Sequence, residues 1–285
     1  MQDVSQTYTS ILANGGWHEC KLEINGVAYG MEQLVSMQTT SALWDAAVSV
    51  GNAIAGTIDV QLIAQSQNVP TMAKLCPYVR AVNNTQQSEW IPKGVYWIDT
   101  REYDKETGIL TLVGMDAMLK GEQAYMSEGD QGVWPQVDIN VLCDIANRLE
   151  LGSDKYTKIT NPTGNPKAKG WYYYSATDKK YYLSTATSVN PATTYYKRSN
   201  TGIDSRTLPL INKYYAVQYT GFGDEAYTVR EVLGYIGAMY AGNWIINEVG
   251  QLRLVVLGDI PAETNYMITE NEARITLGGD RIILL

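Results

Sequence analysis

Of 285 residues, one is histidine, one is phenylalanine and three are cysteine. A single histidine excludes His-rich metal sites, and His18, set in the first predicted strand, reads as structural rather than as a general base. Cys20, Cys76 and Cys143 are widely spaced and odd in number, with no close pair of the kind that binds zinc or does redox work. All three are expected to be buried free thiols. No uncharged apolar run approaches the roughly 20 residues needed to span a bilayer, so membrane insertion is not expected. The N-terminus, Met1-Gln2-Asp3-Val4-Ser5, has neither the basic nor the apolar region of a secretory signal, and synthesis in the cytoplasm is the expectation.

Catalytic signatures are missing as well. There is no Gly-x-Ser-x-Gly elbow, Walker loop or His-Glu-x-x-His pair, which removes the usual support for acyl transfer, nucleotide hydrolysis and zinc proteolysis. Asp99, Glu102, Asp104 and Glu106 are interleaved with Arg101 and Lys105 around a predicted hairpin and read as a solvated turn. Glu128-Gly-Asp-Gln-Gly132 lacks the EF-hand pattern. Gly221-Phe-Gly223 lacks the third glycine of a dinucleotide loop, and the sequon Asn83-Asn-Thr85 carries no weight without an export signal. No catalytic residue, metal or cofactor is assigned. The formal charge of −8, from 22 basic and 30 acidic residues, argues against a phosphate-neutralising surface. A closed ring that DNA merely passes through would not need one.

What the chain does have is tyrosine, 21 of them, with 7 tryptophans and 45% hydrophobic residues overall. Such a length suits two domains. The first, residues 1–125, reads as β. Residues 18–24 alternate polar and apolar, Asn25-Gly26 supplies a two-residue turn, and residues 27–37 continue as the partner. Residues 56–63 place Ile58, Val60 and Leu62 on one face. After a helical turn at 71–75, strands are expected at 78–83, 94–100 and 108–115, the last two joined by the charged loop 101–107. Six strands in about 100 residues suggest a small barrel or sandwich.

Residues 126–285 read as a second lobe of helices plus β. Helices are expected at 116–124, at 138–149, and from Thr228, where Thr228-Val-Arg-Glu231 forms a capping box. A closing hairpin covers 243–247 and 250–257. The last residues, 274–285, are apolar and β-like, and read as a fragment boundary or a surface that docks on a neighbour. Between the second and third helices lies an insert, about 154–226, with three short Tyr-rich strands at 170–175, 180–184 and 194–197. Its aromatic residues, Trp171, Tyr172, Tyr174, Tyr182 and Tyr196, suit local packing, a subunit contact or a glycan platform.

The order of these segments resembles the N-terminal region of phage tail-tip and baseplate hub proteins, including those of prophages. The resemblance rests on residues 49–60 (SVGNAIAGTIDV), 69–80 (VPTMAKLCPYVR), 94–100 (GVYWIDT) with 110–119 (LTLVGMDAML), 141–146 (VLCDIA), 227–236 (YTVREVLGYI) and 250–254 (GQLRL). The insert departs from the shared pattern. The resemblance implies a mainly β fold with α (α+β), in which two β-barrel-like lobes with associated helices carry a small Tyr-rich β insert. It further implies a non-enzymatic virion structural protein, assembled in the bacterial host cytoplasm into a homotrimer at the tail tip. Its partners would be a distal tail or tube protein on one side and a spike, plug or receptor-binding protein on the other, with DNA in transient passage. The alternatives are a distal tail ring protein and a carbohydrate-binding tail adhesin. A tail-associated hydrolase is disfavoured by the missing histidines.

Overall fold

Strict alternation of branched and polar residues builds the first half of the chain. The computed structural model describes residues 2–44, 47–64, 69–125, 136–152, 155–164, 171–177, 179–184, 186–211, 216–217 and 226–258. After a short helix, α1 (Gln6–Ala13), capped by the Ser5 hydroxyl, come β1 (Trp17–Ile24) and β2 (Val27–Tyr29). Asn25 and Gly26 both take positive φ, 48° and 85°, the geometry that lets a two-residue hairpin follow the strand twist. The strands β3 (Leu34–Thr40), β4 (Thr57–Ile63), β5 (Lys74–Val82), β6 (Ile91–Pro92), β7 (Tyr96–Tyr103) and β8 (Ile109–Met115) complete one antiparallel sheet. Its order is β2-β1-β5-β7-β8-β4-β3, with β6 beside β5.

The two edges of this sheet are consecutive in sequence. Only residues 30–33 separate β2 from β3, and the five steps from Tyr29 to Leu34 span at most about 18 Å. The sheet therefore curls until its edges face each other across that turn. It does not close, because no ladder joins β2 to β3. Gln33 and Leu34 both donate their amides to Gly30 O within the turn, so the chain turns away before pairing can begin. The expected barrel is thus an open, curled sheet, and residues 27–37 form two strands instead of one. Leu22, Ile24, Ile58, Val60, Leu62, Leu75, Leu110 and Leu112, all at most 2% exposed, fill its interior. Each such side chain contributes about 1.5–3 kcal/mol on burial.

Two further expectations change here. Residues 71–75 are not helical. Ala73, Leu75 and Pro77 are buried in alternation, which is the strand period, and β5 starts at Lys74. Residues 101–103 belong to β7, so the hairpin loop is shorter than the charge pattern implied.

The second core forms under helices. Asp116 caps a 3-10 turn (Ala117–Glu122), α2 spans Asp138–Arg148, and α3 (Val229–Met239) opens with the capping box of Thr228 and Glu231. Short β9 (Gln136–Val137) pairs with β14 (Ala216–Val217), and four further strands, β10 (Tyr156–Lys158), β11 (Tyr172–Ser175), β12 (Lys180–Leu183) and β13 (Tyr195–Arg198), form the insert sheet. The chain then pairs β15 (Gly242–Ile246) with β16 (Leu252–Val256). Leu142, Ile145, Leu149, Leu233, Ile236, Trp244, Leu252 and Leu254 meet there, joined by Met118 and Tyr125. Among the described residues this half contains a two-stranded hairpin under helices, not a second barrel.

Residues 49–54 fasten the two halves together. Gly51 donates to Gly242 O (2.9 Å), Trp244 donates to Asn52 O (2.7 Å), and the Asn243 side chain bridges the Asn52 amide and Ser49 O, each at 2.8 Å. Gly51 and Gly234 let the two backbones touch, since a Cβ on Gly234 would lie 2.7 Å from Gly51 O. Arg230 donates to Ala53 O and Met118 O and pairs with Glu122 at 2.6 Å.

Candidate functional site

The Tyr-rich insert is the part of the chain whose side chains are least explained by the cores. Its sheet runs in the order β10-β13-β11-β12, and strand alternation gives it two distinct faces. Cross-strand partners share a face. Tyr172 lies opposite Tyr196 and Tyr174 opposite Tyr181, while Tyr173 lies opposite both Tyr182 and Tyr195. Of the five candidates, Tyr172, Tyr174 and Tyr196 therefore sit on one face, and Tyr182 and Trp171 on the other. They do not form a single platform.

The first face is packed ring against ring, with Tyr174, 44% exposed, at its margin. Tyr181 stacks on Tyr156 at 3.9 Å and 15°, and meets Tyr174 and Tyr196 at 5.0 and 5.1 Å. Tyr156 also meets Tyr172 edge-on at 5.1 Å. Arg198 lies 4.9 Å from the Tyr172 ring centroid, donates to the Tyr172 hydroxyl (3.1 Å), and pairs with Asp144 of α2 at 2.7 Å. Asp144 accepts from Arg148 at 3.2 Å, so the sheet is anchored to the second core through a partly buried ion network. Burial raises the pKa of Tyr156 and Tyr125, keeping both phenols neutral and able to donate.

The second face is open. Tyr173 and Tyr182 are each 39% exposed and lie 5.9 Å apart at 27°, a nearly flat pair. Beside them Trp171, half-buried, meets the buried Tyr195 edge-on at 5.5 Å. Lys197, two residues from Tyr195 and hence on the same face, is exposed. Sequence reasoning missed Tyr156, Tyr173, Tyr181 and Arg198. It also missed a charge signal that a windowed count exposes. Residues 155–200 hold eight basic residues and one acidic, leaving 14 basic and 29 acidic residues in the rest of the chain.

The other singled-out residues fall elsewhere. His18 is exposed on β1 and hydrogen-bonds the Tyr8 hydroxyl at 2.8 Å. Asp104 caps its turn, accepting from the Glu106 amide and the Thr107 hydroxyl. Asn83 Oδ1 likewise caps a turn for Thr85 and Gln86. Cys20 and Cys76 are only half-buried, contrary to expectation: Cys76 lies opposite Glu23 on the outer face of the sheet, and Cys20 shares the face of Leu22 and Ile24 but sits outside their core cluster; Cys143 is buried, which pushes its thiol up to about 12. The Glu128-Gly-Asp-Gln-Gly132, Gly221-Phe-Gly223 and 274–285 segments lie outside the described residues. Among those described, no three His, Cys, Asp or Glu side chains gather as a metal would require, and no helix is long and apolar enough to cross a membrane.

Among solved structures, the chain is similar to the 43 kDa tail protein of prophage MuSo2 from Shewanella oneidensis. The identity is 8% and the TM-score 0.38, over 83% of this chain and 54% of that one. This chain thus spans about half the length of that protein. No family model and no curated protein matches it.

A second surface lies where the edges of the curled sheet face each other. Val27 on β2 (59%), Met31 in the turn (54%), Val35 on β3 (50%) and Ile63 at the end of β4 (55%) are each exposed. The neighbouring edge strand β3, with its flanks, carries no charge and no proline from Gln33 to Ser41.

Proposed function

We propose that this chain is a virion structural protein that builds the hub ring at a phage tail tip or baseplate, continuing the tail tube and connecting it to spike or receptor-binding parts. The observation that carries this reading is the uncharged, seven-residue edge strand β3 with its rim of exposed Val27, Met31, Val35 and Ile63. Monomeric proteins protect such an edge with charge, proline or a covering segment, because unpaired backbone groups recruit a strand from another chain. The segment order that resembles tail hub proteins supplies the identity of the assembly.

In this reading the activity is geometric. Heterologous contacts between identical subunits close into a ring when the rotation per subunit allows it, and three subunits complete it. The acidic remainder of the chain lines or flanks the channel and repels passing DNA. The chain itself performs no catalysis. A zymogram on bacterial cell walls is expected to be blank, and clearing at the position of this chain would sink the non-enzymatic reading. Charge placed on the edge, as in Ser36→Lys with Gln38→Glu, is expected to abolish oligomers seen by light scattering while leaving the circular dichroism unchanged. Oligomers that survive both substitutions would show that β3 is not the contact.

A further inference from the structure

We propose that the open face of the insert sheet, centred on Tyr173, Tyr182 and Trp171, binds an anionic saccharide chain. This goes beyond the hub reading and does not depend on it. The geometry is that of a plate: two cross-strand rings 5.9 Å apart and 27° from parallel, extended by Trp171, present an apolar surface to solvent. The C–H faces of sugar rings stack on such a surface, and displaced water contributes as with any apolar burial. On the opposite face Tyr174 is 44% exposed, but its ring meets Tyr181 at 55°, so no comparably flat cross-strand pair is presented there.

The chemistry of the rings narrows the ligand. Residues 155–200 contain tyrosine and tryptophan but no phenylalanine, so every ring ends in a hydrogen-bonding group. That matches a hydroxyl-rich partner better than an apolar one. Charge narrows it further. Eight basic residues against one acid make this module the cationic part of an acidic chain, and Lys197 stands exposed on the same face as the plate, with Lys179 exposed in the turn between β11 and β12. A polymer charged at every unit, such as single-stranded DNA, would extend into the field of the acidic remainder. A saccharide chain carrying carboxylates or phosphates at intervals gains the local attraction without that opposition.

The test is affinity electrophoresis of the full chain through native gels containing hyaluronate, which carries a carboxylate on every second sugar, phosphomannan or neutral dextran, with an oligothymidylate shift assay alongside. Retardation by at least one acidic polymer and none by dextran is expected, and which polymer acts identifies the anion as carboxylate or phosphate. Combining Tyr173→Ala with Tyr182→Ala should weaken binding at least about tenfold, the scale of two aromatic contacts. Lys197→Glu should weaken it by at least about threefold, with the loss shrinking as salt rises. Tyr174→Ala, on the opposite face, should leave it within about twofold and serves as the control for a disturbed fold. Migration unaffected by both acidic polymers, full binding by the double variant, or tighter capture of oligothymidylate than of either polysaccharide would each overturn the proposal. Ring symmetry bears on none of these outcomes.

Discussion

The joint between the two halves and the Tyr-rich insert sheet are built on opposite principles. At the joint, residues 49–54 lie so close to α3 and β15 that only glycine fits at Gly51 and Gly234, and amide side chains complete the backbone pairing. The insert sheet is made of strands of three or four residues, held by rings stacked on one face and by one ion network to α2. Close backbone approach specifies a single arrangement and tolerates little change. A sheet with one packed face and one wet face can vary on the wet side at small cost. The difference separates what the chain needs in order to fold from what it offers to other molecules.

The sharpest way to break the joint is Trp244→Ala. Trp244 is fully buried and donates its indole N–H to Leu233 O at 2.7 Å, so truncation leaves a cavity and removes that hydrogen bond. A loss of about 3–5 kcal/mol is expected in urea unfolding. Arg198→Ala should cost about 1.5–3 kcal/mol, because it removes one of the two guanidinium partners of the Asp144 carboxylate, 8% exposed, and leaves it with Arg148. Its effect should be local, with amide exchange accelerating in β11–β13 and remaining slow in β15–β16. Gly234→Ala pushes a methyl into Gly51 O, whose residue is itself held at φ 82°, and should cost about 1–3 kcal/mol.

A smaller effect is pH-dependent. Burial pushes the Asp204 carboxyl up, but hydrogen bonds from Arg206 and Asn247 outweigh it and bring the pKa from 3.8 down to about 2. A depressed carboxylate stabilises the fold above its ordinary value, and that contribution is lost as pH falls toward 2. With Arg206 partly exposed, the expected size is about 1 kcal/mol, and Asp204→Asn should flatten this limb of the stability profile. Asp116 works in the other direction. Burial raises it to about 6 despite amides from Gly56 and Met118, so its contribution is complete below pH 3.8 and disappears as pH rises through 6. At the bottom of the scale, Tyr173→Ala should shift stability by no more than about 0.5 kcal/mol, which would mark the open face as dispensable for folding.

Features set by local chemistry were legible in the sequence. The Asn25-Gly26 hairpin, the β4 alternation of Ile58, Val60 and Leu62, and the Thr228–Glu231 capping box all occur as read, since a turn, a face or a cap is specified by adjacent residues. Helix α1 escaped notice because Ile11 is its only buried residue and no apolar stripe marks it. Whether the first sheet closes could not be read either, as it depends on the amides within residues 30–33. In the candidate site, tyrosine content was plain but face assignment was not. Register across four strands decides that Tyr182 and Tyr174 look in opposite directions. Tyr156 was overlooked because its three-residue strand carries no alternation to detect. The basic character of residues 155–200 was available to counting and was hidden by the negative total.

The most direct measurement of the central claim is the mass of the purified chain by light scattering, read together with symmetry in electron-microscope class averages. Threefold rings of this chain are predicted. A chain that stays monomeric at every concentration, or that closes into sixfold rings, would contradict the hub assignment.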